Sequence, residues 1–186
     1  MTESFETARL SLSLVRETDR ENLVALERDP EVMRFLNSGR PAPEDSGDEG
    51  AGFLMPRGHE HGVWTAVETR SGAFVGWFSL RCVHEGVAKL GFRLRRDAWG
   101  RGYASEAAQA LVAKGFAEMG LQQIVASTMA VNHASRRVME KAGLAHVRTI
   151  FPPWSDPLPG SELGDVEYEI ARDAWEATRS ARVPSD

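Results

Sequence analysis

Apolar and polar residues alternate one for one near the start of the chain. Leu10, Leu12 and Leu14 are separated by Ser11 and Ser13, the two-residue period of a strand with one buried face, so residues 9–15 are expected to be a strand. The period then lengthens. Thr18 with Glu21 three positions on has the form of a capping box, and Leu23 and Leu26 supply part of the buried stripe of the helix it would start. Asp29-Pro30 is expected to open a second helix, with Asp as cap and Pro in the first turn, and with Val32, Met33 and Leu36 facing inward. Residues 37–62 carry no clear period. Residues 63–69 and 73–83 flank Arg70-Ser71-Gly72 and read as a hairpin, and a second turn near His84-Glu85-Gly86 leads into a third strand. That strand places Leu90, Phe92 and Leu94 on one face and Lys89, Arg93 and Arg95 on the other. Ala104, Ala107, Ala108, Leu111, Val112, Phe116 and Met119 follow at three- and four-residue spacing, the stripe of a helix that Gly120 would close. Residues 123–129 form the next strand, Asn132 to Ser135 open a helix that Gly143 ends, and residues 145–151 and 165–171 are the last two strands before a short terminal helix. The order β-α-α-β-β-β-α-β-α-β-β implies a mixed α/β fold, and no internal repeat interrupts it.

The junction Trp99-Gly100-Arg101-Gly102-Tyr103-Ala104 delivers the third strand of that group into the long helix. A helix start leaves backbone N–H groups without intrahelical partners and carries partial positive charge. Gly100 and Gly102 permit left-handed backbone angles and let a ligand approach with no Cβ in the way, and Ala104 is nearly as small. The stretch therefore reads as an anion cradle suited to a phosphate or pyrophosphate, with Arg101 close by. The alternative is a turn that needs glycine only for shape. No Gly-Lys-Ser/Thr follows, which argues against a P-loop, and Ser105 stands where a dinucleotide fingerprint would have its third glycine.

Composition narrows the class. At 186 residues and 20.5 kDa, residues 1–186 are expected to be one domain with a substantial core. A net charge of −5 argues against nucleic acid as the main partner, although Lys89, Arg93, Arg95, Arg96 and Arg101 crowd the junction. The acidic run Glu44, Asp45, Asp48 and Glu49 is either a solvated loop or an attraction for a cationic amine. Cys82 is the single cysteine, so no internal disulfide or cysteine-rich metal site is expected; its apolar run suggests a small buried hydrophobe. The N-terminal residues show no signal-peptide pattern and no apolar run approaches membrane-spanning length, so the chain is expected to be cytoplasmic and free of membrane.

The Trp99–Ala104 stretch resembles the acyl-CoA-binding motif of the GNAT superfamily of N-acetyltransferases, Gln/Arg-x-x-Gly-x-Gly/Ala between a strand and a helix, with Trp99 in place of the first Gln or Arg. WGRGYASEA and the opening TARLSLSLVRETD…RDPEVMRFL are similar to the branch that contains ribosomal-protein N-terminal acetyltransferases. A second run, residues 127–144, resembles the family's Asn-x-x-Ser-x-x-x-x-x-Lys-x-Gly-Phe segment, with Leu144 for Phe, and the likeness spans residues 5–175. Taken alone, Asn132 is also a good N-cap and Ser135 an ordinary first-turn residue.

The resemblance implies the GNAT fold, a mixed, mostly antiparallel central sheet flanked by helices with a splayed central strand. It implies acetyl-CoA as cofactor and transfer of an acetyl group to a primary amine, either a protein N-terminal α-amine or a small molecule. By position, the free N–H of Phe92 would polarise the thioester carbonyl and Leu94 would pair with the pantetheine amide. Trp99, Gly100, Arg101, Gly102, Tyr103, Ala104 and Ser105 would hold the pyrophosphate, and Asn132 and Ser135 would lie along the arm near the sulfur. Met139 occupies the usual place of a tyrosine acid, so Ser135 is left to assist the departing thiol. Lys89 replaces the glutamate that often serves as base; Glu68, His84, Glu85, Glu167 or a water relay remain. Those two departures keep a non-catalytic acyl-CoA-binding module as the alternative. No metal is expected, and a homodimer is one assembly the reading allows.

Overall fold

The computed structural model describes residues 4–36, 39–41, 61–154 and 156–180. Eight strands form one sheet: β1 (Ser4–Glu6), β2 (Leu10–Leu14), β3 (Val63–Glu68), β4 (Phe74–His84), β5 (Val87–Leu94), β6 (Gln123–Met129), β7 (Ala145–Ile150) and β8 (Asp165–Ala171). Their spatial order is β1-β2-β3-β4-β5-β6-β8-β7. Every neighbouring pair is antiparallel except β5 with β6. The α-helices among the described residues are α1 (Arg20–Arg28), α2 (Pro30–Met33), α3 (Tyr103–Ala117), α4 (His133–Lys141) and α5 (Arg172–Ser180). The mixed, mostly antiparallel sheet flanked by helices is the fold the sequence led us to expect.

Alternation along each strand builds the layers. Leu10, Leu12, Leu90, Leu94, Ile124, Val166, Tyr168 and Ile170 lie in one core with Ala107, Leu111, Val112 and Phe116 of α3 and Met139 of α4. Burying each large apolar side chain there is worth about 1.5–3 kcal/mol. The opposite face carries a smaller core in which Leu23 and Leu26 of α1 and Val32 of α2 meet Val63, Phe74 and Trp77. Under α1, beside this smaller core, lies an ion pair absent from the sequence reading: Arg93 of β5 meets Glu27 of α1, both almost wholly buried, with the guanidinium 5.3 Å from the Trp77 ring centre. Burial lowers the Arg93 pKa to about 10.

Several expectations are corrected. β1 was not foreseen. The first helix is entered through a 3-10 turn, Glu17–Asp19, and the Arg16 N–H donates to Asp19 Oδ2 at 2.9 Å, so Asp19 rather than Thr18 with Glu21 organises its start. Asp29 does cap α2, accepting from the Glu31 N–H, but α2 ends at Met33 and Leu36 is only half-buried beyond it. α3 stops at Ala117, before Met119, and Gly120 takes its left-handed φ of 68° outside the helix rather than as its cap. Cys82 is exposed, because β3 pairs with β4 only as far as Ser79 and the far end of β4 projects past it. The acidic run of residues 44–49 lies outside the described residues.

Candidate active site

The parallel pairing of β5 with β6 covers only Val87, Ala88 and Lys89 against Gln123, Ile124 and Val125. β5 nevertheless continues to Leu94 and β6 to Met129, so the two strands part and leave a cleft in the middle of the sheet. The Arg95 N–H donates to the Val75 carbonyl at 3.0 Å, which sets the odd residues of β5 to bond with β4. The backbone groups of Phe92 and Leu94 therefore point the other way, into the cleft. The Leu94 carbonyl accepts from Trp99 Nε1 at 2.8 Å, which ties the glycine junction to the end of the splayed strand. The Leu94 N–H and both backbone groups of Phe92 have no β6 partner in the ladder.

The junction itself is built open. Gly100 and Gly102 have φ of 71° and 84°, the left-handed region, and a Cβ at Gly100 would meet nothing within 4 Å. Gly102 is the N-cap of α3 and has no side chain to bond the first-turn N–H groups, and no other side chain among the described residues does so. Tyr103, Ala104 and Ser105 thus present uncapped amides at the positive end of a helix 15 residues long. That is a fit for a pyrophosphate group.

Around the turn stands a brace that the sequence did not reveal. The guanidinium groups of Arg9 and Arg101 both stack over the Tyr103 ring, at 4.6 and 4.7 Å from its centre. Its hydroxyl donates to Glu68, which also accepts from Arg101 at 3.0 Å and from Ser71 at 2.5 Å. Those bonds, the one from Ser71 foremost, hold the Glu68 carboxyl below its usual range. Arg9 donates to the Arg101 carbonyl at 2.9 Å and pairs with Glu106 at 2.7 Å. The arginine cluster is therefore largely self-neutralised: Arg93 is taken by Glu27, Arg95 by Asp97, Arg96 by Asp29 and Arg101 by Glu68. The helix amides have no such carboxylate partner among the described residues.

α4 begins differently. Asn132 Oδ1 accepts from the Ser135 N–H at 3.2 Å, and Asn132 Nδ2 donates to Thr128 Oγ1 at 3.0 Å. Ser135 is half-buried in the first turn. Met139 is fully enclosed in the core. Among the residues considered as bases, His84 and Glu85 are exposed at the turn between β4 and β5, away from the open end of the cleft, and Glu167 pairs with Arg148 at 2.6 Å. Lys89 marks the last paired position before the strands part.

A sequence model of the acetyltransferase (GNAT) domain matches residues 9–145. The FsC-acetyl coenzyme A-N(2)-transacetylase of Aspergillus fumigatus is 38% identical over 182 residues, covering 92% of this chain and 77% of that protein. Among solved structures, the GNAT-family acetyltransferase of Bacillus anthracis superposes with a TM-score of 0.74 at 23% identity, covering 91% of this chain and 99% of the other. Spermidine N-acetyltransferase from Vibrio cholerae, in complex with CoA and spermine, gives 0.71 at 14% identity, covering 90% and 98%.

Proposed function

This chain belongs to the GNAT acetyltransferase family and is an acetyl-CoA-dependent acetyltransferase, and we propose that its acceptor is a primary amine, specifically the α-amine of a small amino-acid-like molecule. The observation that carries the transfer reading is the cleft between β5 and β6 lying beside an uncapped helix start, the two joined by the Trp99–Leu94 bond. Acetyl-CoA supplies the activated acetyl group. The amides of residues 100–105 hold its pyrophosphate, and the Leu94 N–H holds the arm as an added strand would. The Phe92 N–H, free of β6, is the donor for charge that develops on the carbonyl oxygen. Asn132 and Ser135 line the sulfur end, with the Ser135 hydroxyl stabilising the departing thiolate.

Two considerations favour an α-amine. The Aspergillus relative is named for transfer to an N(2) nitrogen, and the motif residues resemble a branch that acetylates protein N-termini. An α-ammonium titrates at about 7.7–8.0 against about 10.4 for an alkylammonium, so it asks less of a base. Lysine amide blocked at one nitrogen or the other is the direct test. With acetyl-CoA, Nε-acetyl-lysine amide should give a kcat/KM about tenfold or more above that of Nα-acetyl-lysine amide, the scale of one well-made pocket contact. The reverse preference sinks the α-amine assignment, and acetyl-CoA binding without transfer to either compound would leave a cofactor-binding module.

A further inference from the structure

The face of the sheet opposite α3 and α4 carries a row of three carboxylates on β8. Val166, Tyr168 and Ile170 point into the α3 and α4 core, so Asp165, Glu167 and Glu169 point the other way. Lys89 and Gly91 of β5 share their face, since Leu90 and Leu94 occupy the core side and Arg93 reaches Glu27 of α1. Two of the three carboxylates are engaged. Glu169 accepts from Gln123 at 2.8 Å, and Glu167 pairs with Arg148.

Asp165 differs. Its Oδ1 is buried with no hydrogen-bond partner. Buried carboxylate oxygens are expensive to leave unpaired, and a native site normally supplies them a donor. Position says where that donor enters. Asp165 is in register with Met129, the last residue of β6, at the end where β6 has already parted from β5. It therefore stands beside the unpaired end of β6, one strand from the cleft, on the face away from the helix proposed to cradle the cofactor.

We propose that Asp165 is the acceptor-side carboxylate of this enzyme: it accepts a hydrogen bond from the incoming ammonium and then takes its proton. The N–H bond breaks, an O–H bond forms on Oδ1, and the electron pair left on nitrogen is freed for attack. The exchange balances without any further reactant. Desolvation raises the Asp165 pKa above its ordinary value, with Lys89 opposing part of that rise, so the carboxylate is a better proton acceptor than an exposed one. No other carboxylate of the row combines a buried, unpartnered oxygen with a place beside the parted end of β6. The inference rests on the transfer to an amine argued above, but not on which amine.

The test uses propylamine, an acceptor with nothing to recognise except its ammonium, and the full-length protein with acetyl-CoA. Asp165→Asn should lower kcat/KM for propylamine by about 10²- to 10⁴-fold near neutral pH, the usual contribution of a positioned base. Acetyl-CoA affinity, read by calorimetry, should stay within a factor of about two. Because the variant must wait for amine already neutral, its deficit should narrow about tenfold per pH unit up to the propylamine pKa of about 10.4. Glu167→Gln should do none of this. A deficit independent of pH, a matching loss of acetyl-CoA affinity, or wild-type turnover in Asp165→Asn overturns the proposal. So does a wild-type enzyme that never acetylates propylamine, and the lysine amides then decide separately on the α-amine reading. If Asp165→Asn does not fold, the ¹³C shift of the wild-type Asp165 carboxyl must move when propylamine is added to the acetyl-CoA complex; an unmoved shift rejects the role.

Discussion

Two helices start at the central cleft, and they start in opposite ways. α3 begins at Gly102, in a left-handed turn, with no side chain on its first amides. α4 begins at Asn132, whose side chain closes the turn by accepting from Ser135 and is itself held by Thr128. A helix end left open inside a folded protein keeps unpaired donors that a cap would satisfy for about 1 kcal/mol. The chain forgoes that at α3 and surrounds the open turn with Arg9, Glu68, Tyr103 and Glu106, which stiffen it from outside without entering it. At α4 the cap is intact. The contrast fits the proposed roles, the first helix end kept for a ligand and the second for placing side chains.

The harshest way to break the comparison is to fill the open end. Gly102→Val puts a β-branched side chain at a φ of 84°, with its Cβ 3.3 Å from the Arg9 guanidinium. Left-handed strain costs about 1–2 kcal/mol, which a chain with this much core tolerates. Acetyl-CoA affinity should fall about a hundredfold, close to 2.8 kcal/mol, as measured by calorimetry on protein whose circular dichroism still shows the fold. A folded variant that binds acetyl-CoA normally would remove the pyrophosphate from this turn.

The second test asks whether the capped helix contributes chemistry. Ser135→Ala keeps the backbone N–H that Asn132 accepts from, so the cap survives. If the hydroxyl supports the departing thiolate, kcat should drop by about ten- to a hundredfold while the KM for acetyl-CoA moves much less. Unchanged single-turnover rates would reduce Ser135 to a first-turn residue. Restoring a tyrosine at Met139 is a poorer check, because Met139 is 3% exposed and packed in the core, where a larger side chain costs about 1–3 kcal/mol.

The same contrast explains what could be read from sequence. β6 and β8 fall at residues 123–129 and 165–171 as alternation indicated, since a strand buried on one face writes its own period. The Gly100–Gly102 turn was legible because left-handed backbone asks for glycine. The parting of β5 from β6 was not written in any residue type: where two strands stop pairing is set by what packs on each, and only the family likeness suggested it. Arg93 stood out only as one of a basic cluster and Glu27 not at all, because their pairing depends on α1 crossing β5. Asp165 went unnoticed, and Cys82 was expected to be buried, for one reason. Alternation says which face a residue is on, and is silent on whether that face is covered, exposed or beside a cleft.

The mildest perturbation separates cap from ligand at Asn132 itself. Asn132→Asp keeps the oxygen that accepts from Ser135, caps about as well as Asn, and adds a charge the helix dipole favours. The Thr128 hydroxyl can turn to donate where it now accepts from Nδ2, so the anchor to β6 survives with its direction reversed. Thermal stability should therefore match the wild type, whereas Asn132→Ala, which loses both bonds, should be less stable by about 1 kcal/mol. Acetyl-CoA distinguishes the roles. If the Asn132 amide also serves the cofactor arm, the aspartate has lost the donor and gained a charge beside it, and affinity should weaken by about three- to tenfold, the scale of one hydrogen bond. The intramolecular partners of Asn132 make this the sharpest of the tests. Both amide atoms are already occupied within the chain, so equal affinity in Asn132→Asp and wild type would show that α4 is closed by its cap and that binding is left to the open end of α3.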